Sequence, residues 1–394
     1  MKYADAAIPV GMVWSSPFAK WQGSLSEISS LDVAATVTSR ALADRGVDPE
    51  QISSVVLGWT VPQQDIFYGG PLLAARIGAP HATGAMVSQA CATSVAALQV
   101  AASSLAGPDD VQLVVATDRT SNGPTLSYPV PSGQGGAART THWVLDSFKR
   151  DPWAGTGMLE ASDLVAREGG FTRGEADALK LLRYEQYATS LADDRAFQKR
   201  YMVPIEITGR KPLIVEADEG IRPVDADGLA KLKTVSPDGI HTFATQTHPA
   251  DGCAGAVVTS VERAREMAGG GGIVRLLSTG TARVGKTRMP EAPVPAAQRA
   301  LDAAGLTIDS VDLVTTHNPF AVNDLYFAQQ TGFPLERMNV RGSSLVFGHP
   351  QGPTGLRSIA ELVEELRLRG GGIGLFTGCA AGDTGMALVV EVRD

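Results

Sequence analysis

The chain has 394 residues, 44% of them hydrophobic and 19% charged, with a formal net charge of −8. Length and composition describe a folded protein with a large core, either two domains or one fold of two similar halves, and exclude disordered and fibrous classes. The acidic balance excludes a general nucleic-acid binder, which would present a basic face.

The N-terminus, MKYADAAIPVGMVWSSPF, lacks the basic start and apolar core of a signal peptide. No uncharged apolar run reaches the roughly 20 residues of a membrane span, so a cytoplasmic protein with no membrane partner is expected. The cysteines stand at 91, 253 and 379, which makes neither a C-x-x-C metal motif nor an even disulfide framework. Free thiols in a reducing compartment and no metal are expected.

Taken in chain order, the first clear element is the end of an amphipathic helix, closed by Gly46 and followed by a short loop and the strand SSVVLGWTV. Its text, RALADRGVDPEQISSV at 40–55, lies without a gap over RALDAAGLTIDSVDLV at 299–314. The neighbourhoods repeat too. The first copy leads to QACATSVAALQVAASSLAG and the strand VQLVVATD; the second leads to DLVTTHNPF, LRSIAELVEELRLRG and IGLFTG. Two duplicated βα halves are therefore expected. Between them, residues 119–246 are irregular, with Gly/Pro/Ser punctuation and a charged helical piece, and read as a long surface insertion that shapes a substrate site. The expected division is 1–118 with 247–272 for the N-terminal half, 119–246 for an inserted loop domain, and 273–394 for the C-terminal half.

Four short stretches fall where predicted strands end or helices begin: the QAC of Cys91, THNPF at 316–320, GHPQGPTG at 348–355 and GCAAGDTG at 378–385. Loops there are the usual place for catalytic groups in α/β folds. A thiol attacks thioesters well but is only a few per cent thiolate at neutral pH. A helix N-terminus and a nearby imidazole correct this, and Cys91 and His349 stand where both are available. Cys379, on a loop of small residues, suits a base that removes the proton next to a thioester carbonyl. Histidines and backbone N–H groups then hold the oxyanion, one such donor being worth ~3–4 kcal/mol.

These stretches, in this order and spacing, resemble the thiolases, which cleave or join 3-oxoacyl-CoA thioesters. The resemblance runs over nearly the whole chain, through SSPFAKWQGSLS, QACATSVAALQVAASSLAG, VPIEI…DEGIRP, TQTHPADGCAGAVV, GHPQGPTG and GCAAGDTGMALVVEV. It implies a five-layer α–β–α–β–α fold of two βαβαβαββ halves with a CoA-binding loop domain. Cys91 would be the acylated nucleophile, His349 its activator and Cys379 the acid/base. One oxyanion hole would use the backbone N–H groups of Cys91 and Ala381. The other would use His349 with His317 through a water. Thr247, Arg222, Met158 and Phe320 would meet the substrate. CoA is implied as substrate and product with no tightly bound cofactor, and a homodimer or homotetramer as the assembly.

The chain also departs from the thiolase pattern. HNPF replaces N-E-A-F or H-E-A-F, Ala381 and Asp383 replace glycines of C-x-G-G-G-x-G, Thr247 stands for a serine, and ATDRTS at 116–121 replaces A-G-G-x-E-x-M-S. Cys253, in CAGAVV, reads as packing, and His81, His142, His241 and His248 as hydrogen-bonded loop residues. The charged helix from Glu175 to Tyr201 reads as a solvated face whose Arg183, Lys199 and Arg200, with Arg210, help attract CoA phosphates. Two rivals stay open at this point. One is a decarboxylating ketosynthase-like enzyme using Cys91, His317 and His349; the other is a degenerate acyl-CoA-binding protein.

Overall fold

A computed structural model of the chain describes residues 1–208 and 212–393; Arg210 lies outside them. The gapless repeat is realised residue for residue. Helix Ser30–Asp44 and helix Pro293–Ala304 end before left-handed Gly46 (φ 66°) and Gly305 (φ 77°). Each is followed by a single 3₁₀ turn, Pro49–Gln51 or Ile308–Ser310, and a five-residue strand, Ser54–Gly58 or Leu313–His317. A glycine at the helix end permits the left-handed turn that aims the chain back at the sheet.

Each half then builds the same sheet order. In the C-terminal half, Leu313–His317 runs parallel to Gly372–Ala380, which is antiparallel to Thr384–Arg393, itself antiparallel to Ile273–Arg283. In the N-terminal half, Ser54–Gly58 runs parallel to Val111–Arg119, which pairs antiparallel with Ala250–Thr259. The last place is filled by three short strands, Ala7–Pro9, Val13–Ser15 and Ala19–Lys20, rather than one long one. Pro9, left-handed Gly11 and Pro17 interrupt it. Ala7–Pro9 also pairs with Arg275–Ile273, so the two sheets join edge to edge in one sheet of 11 strands. The sequence held no sign of that seam.

Helices Thr93–Ser103 and Thr354–Leu368 each touch strands of both halves and form the middle layer, while Ser30–Asp44 and Pro293–Ala304 cover the two outer faces. The result is five layers, α–β–α–β–α. Every residue from Thr354 to Leu366 is buried, including Arg357, Glu361, Glu364 and Glu365. Charges that deep must be paired, and these are. Arg357 bonds both oxygens of Asp218 at 2.8 Å and Glu361 at 3.0 Å, with the rings of Phe18, Phe347 and Tyr201 around it. Among the described residues no helix is long and apolar enough to cross a membrane.

Candidate active site

The two central helices begin with the same turn. Gln89-Ala90-Cys91-Ala92-Thr93 and Pro350-Gln351-Gly352-Pro353-Thr354 place a left-handed residue at the same point, Ala90 (φ 45°) and Gln351 (φ 65°). In both turns the threonine amide closes back on that residue's carbonyl, at 3.1 and 3.2 Å. The turns face each other. Ser94 Oγ donates to the Gly352 carbonyl and accepts from the Leu356 amide at 2.9 Å. This crossing of helix N-termini brings Cys91, from one half, against His349, from the other, with His349 Nε2 3.1 Å from Cys91 Sγ.

His317 arrives by sheet register. As the last residue of its strand it lies beside Gly378, and a side chain at 378 would meet His317 Cβ at 2.9 Å. Its ring stacks on His349 with centroids 3.9 Å apart. The donor atoms of Cys91, His317 and His349 all lie within 4.8 Å of one another. Cys379, next after Gly378, is buried in an apolar cluster with Phe320 and Met289, against which Met158 packs.

Hydrogen bonds set the protonation states. Asn318 Nδ2 donates to Asp324 Oδ2 at 2.7 Å, which turns its Oδ1 toward Ser344 Oγ (3.0 Å) and the Leu345 amide (3.2 Å). The single Ser344 hydroxyl proton is thus committed to Asn318, and its oxygen accepts from His317 Nδ1 at 3.3 Å. We assign His317 as the Nδ1–H tautomer on this network. Its Nε2 is then a bare lone pair, buried and without a partner among the described residues. His349 Nδ1 meets Thr354 Oγ1 at 2.6 Å.

Burial governs the titrations. It lowers His317 to about 3 and His349 well below the usual imidazole range, where the neighbouring His317 and His248 lower it further. Burial pushes the Cys91 thiol up to about 12. Its own backbone N–H opposes that rise, the Asp118 carboxylate adds to it, and the Ala381 N–H also opposes it. Cys379 is raised well above the usual thiol range by burial and by Cys91, and is lowered by the Asn323 carboxamide. Cys91 is therefore not the standing thiolate its helix-terminal position suggested. The resting pair is thiol and neutral imidazole. The N–H groups of Cys91 and Ala381 both favour negative charge on the sulfur.

The matches to known proteins accord with this geometry. The thiolase N-terminal domain matches residues 12–262 and the thiolase C-terminal domain matches 272–392. The chain belongs to the thiolase family. An acetyl-CoA acetyltransferase of Allochromatium vinosum is 30% identical over 95% of this chain and 96% of its own. The Bacillus anthracis acetyl-CoA acetyltransferase structure superposes with a TM-score of 0.90 at 25% identity, covering 99% of both chains. Human mitochondrial 3-ketoacyl-CoA thiolase in complex with CoA gives a TM-score of 0.89 at 24% identity over 98% of each chain. Membership of the family makes this chain an acyltransferase.

Other predicted residues of this thiolase-family chain fall in varied places. Thr247 is half-buried, its hydroxyl donating to the Ser344 carbonyl at 2.5 Å and its amide to the Pro319 carbonyl at 2.7 Å. Arg222 is exposed and near enough to His248 to help lower it. Arg183 requires correction: it is fully buried, pairs with Asp324 at 2.9 Å and donates to the Leu335 and Met338 carbonyls. It holds the inserted helix Arg173–Ser190 to the His317 network and meets no solvent anion. Lys199 pairs with Asp194 and Arg200 with Glu364. His142 and His248 hydrogen-bond to near neighbours in the chain, His81 to the Ile52 carbonyl at 3.0 Å and His241 to Asp163 at 2.7 Å. Cys253 is buried in its strand.

Sequence reasoning missed several residues. Asn323 Nδ2 donates to Cys379 Sγ at 3.3 Å. Asp118, buried and raised to about 7 chiefly by burial, accepts from the Thr60, Val61 and Gly352 amides at 2.7, 2.8 and 2.9 Å. It thereby ties the end of one strand to the His349 turn. Asp151 accepts from the Gly382 amide at 2.6 Å, and left-handed Asp383 (φ 55°) accepts from the Thr287 and Arg288 amides at 3.0 and 2.9 Å. Asp383 replaces a glycine yet keeps a glycine's backbone, at a cost its carboxylate bonds offset. Asn318, where an acid was expected, works as the amide that orients Ser344.

Proposed function

We propose that this chain is an acyl-CoA C-acyltransferase that makes or cleaves 3-oxoacyl-CoA through an acyl group on Cys91. The observation that carries the reading is the 3.1 Å contact between His349 Nε2 and Cys91 Sγ, with Cys379 buried next to His317's strand partner. In synthesis, Cys91 Sγ gives its proton to His349 Nε2 as it attacks the thioester carbon. The carbonyl oxygen becomes an oxyanion facing the N–H groups of Cys91 and Ala381, and CoA leaves as its sulfur takes the proton of the Cys379 thiol, so that His349 keeps its Nε2–H and Cys379 is left as the thiolate. Because the resting pair is neutral, charge appears only as the bond forms, when those donors count most.

A second acyl-CoA enters, and Cys379 removes its α-proton. The enolate oxygen rests on His349 Nε2–H and on a water. His317 Nε2 accepts one hydrogen of that water and orients the other toward the oxygen. The enolate carbon attacks the acyl carbon, the C–S bond to Cys91 breaks as its sulfur takes back the proton from His349 Nε2, and 3-oxoacyl-CoA leaves with both cysteines again thiols. Cleavage runs the steps in reverse, with CoA thiolate as the final nucleophile. These steps require neither a metal nor an organic cofactor. The insertion 119–246, with Thr247, Arg222, Met158 and Phe320, holds CoA, the halves being 1–118 with 247–272 and 273–394; the assembly is a homodimer or homotetramer.

The test is mass spectrometry after incubation with acetyl-CoA. An added acetyl group on Cys91, absent in Cys91→Ser, is expected. Cys379→Ser should still acetylate and fail to condense. No mass gain would favour a binding protein, and condensation only with malonyl-CoA would favour the decarboxylating rival.

A further inference from the structure

Asp118 stands near the end of strand Val111–Arg119, with 1% of its surface exposed. Its carboxylate accepts four hydrogen bonds. The Thr60 and Val61 amides donate to Oδ1 at 2.7 and 2.8 Å, and the Thr60 hydroxyl and the Gly352 amide donate to Oδ2, both at 2.9 Å. None of these partners is charged. Donors on both oxygens favour the ionised form, against the burial that disfavours it.

The bonds cross between the halves. Thr60 and Val61 follow strand Ser54–Gly58 of one half, whereas Gly352 lies in the turn between His349 and helix Thr354–Leu368 of the other. The Gly352 peptide is held at both ends, its N–H by Asp118 and its carbonyl by Ser94 Oγ, from the helix that follows Cys91. The same turn ends on Thr354, whose Oγ1 lies 2.6 Å from His349 Nδ1. A side chain at 352 would meet Asp118 Oδ2 at 2.7 Å and the Thr93 methyl at 3.7 Å, so the carboxylate also lies beside the first turn of the Cys91 helix.

We propose that Asp118 is a positioning residue for acylation: from one half it fixes the turn that aims His349 of the other half at Cys91. This rests on the reading that Cys91 is the acylated group. The negative charge has a separate effect, because it disfavours the Cys91 thiolate. Of the titratable groups around Cys91, which are His349, His317, Cys379 and Asp118, only Asp118 is ionised at about pH 9, since burial holds both rings neutral and the second thiol protonated. Losing the carboxylate therefore makes the sulfur more acidic and its acylation slower, two changes of opposite sign. In Asp118→Asn the carboxamide oxygen still takes the Thr60 and Val61 amides, but its nitrogen meets the Gly352 amide donor against donor. Asp118→Gly removes anchor and charge without setting a donor there.

The experiment measures two rates in the wild-type chain, both Asp118 variants and Ser94→Ala, each checked for an unchanged far-UV spectrum. One is iodoacetamide labelling of Cys91 at about pH 9, read on its peptide by mass spectrometry; the other is acetylation of Cys91 by acetyl-CoA. In the Asp118 variants labelling should rise roughly 3-fold or more, while acetylation at saturation should fall about 10-fold or more with KM little changed. Ser94→Ala frees the other end of the Gly352 peptide and keeps the charge, so it should slow acetylation and leave labelling as it was. Unchanged acetylation in the folded Asp118 variants overturns the positioning role. Labelling that does not rise in them, or that rises equally in Ser94→Ala, overturns the charge effect. A wild-type chain that is labelled but never acetylated overturns the acyltransferase reading instead, and the labelling comparison still decides the charge effect.

Discussion

The carboxamide of Asn323 bridges two segments of the candidate site: its nitrogen donates to Cys379 Sγ at 3.3 Å while its oxygen accepts from the Phe320 amide at 3.1 Å. The donor stabilises the thiolate and so opposes the rise that burial imposes on Cys379. Asn323→Ala should slow α-proton exchange of acetyl-CoA in D₂O by roughly 10- to 100-fold, the worth of ~1.5–3 kcal/mol for a hydrogen bond to a charged group. The pH at which exchange rises should move upward. Acetylation of Cys91 should be unchanged; an equal loss there would mark Asn323 as merely structural.

Asp151 reaches from the insertion to the Gly382 amide at 2.6 Å, next to Ala381, whose N–H lowers the Cys91 thiol. Asp151→Ala frees that turn without removing the donor. A part of the ~3–4 kcal/mol of an oxyanion contact is lost, so acylation should slow about 10-fold. Pre-steady-state release of CoA measures this. KM for acetyl-CoA should change far less than kcat, because the contact strengthens only as charge develops.

His317 titrates at about 3 in the folded chain because burial disfavours its charged form. An unfolded histidine takes a proton below about 6.5, so acid favours unfolding. The stability this histidine carries is complete above pH 6.5 and is lost as pH falls toward 3. Relative to His317→Asn, the wild-type chain should lose about 1.4 kcal/mol per pH unit below pH 6. Denaturant midpoints at pH 7.5, 6 and 5 give the comparison, and parallel losses in both proteins would contradict it.

Arg357 is the cation for two buried carboxylates, Asp218 and Glu361, in the middle layer. Arg357→Met leaves both without a countercharge and should cost about 3–5 kcal/mol. Chemical denaturation would register the loss. Replacing the exposed Arg76, paired with Asp32 at the surface, should cost well under ~1 kcal/mol.

What could be read from the text was what the chain spells contiguously. The helix, glycine, 3₁₀ turn and strand of each half are local, so the gapless match between 40–55 and 299–314 translated directly into structure. Cys91, His349, His317 and Cys379 were legible because each sits in a short motif of small residues. Asn323, Asp118 and Asp151 were not, since their importance lies in partners 56, 234 and 231 residues away. Left-handed Ala90, Gln351 and Asp383 escaped notice because non-glycine letters give no warning of that backbone. Arg183 misled for a related reason. A polar letter on an amphipathic helix looks solvated until another segment, here Asp324 with the Leu335 and Met338 carbonyls, closes over it.

The paired turns at Ala90 and Gln351 divide the labour between copies that began alike. One half carries the sulfur of Cys91 at its tip and the other the ring of His349 in contact with it, so neither holds the pair alone. A chain severed between Thr259 and Ile273 would leave Cys91 on one piece and His349, His317 and Cys379 on the other. Covalent continuity therefore guarantees that every Cys91 is made together with its His349, in equal number and already within reach.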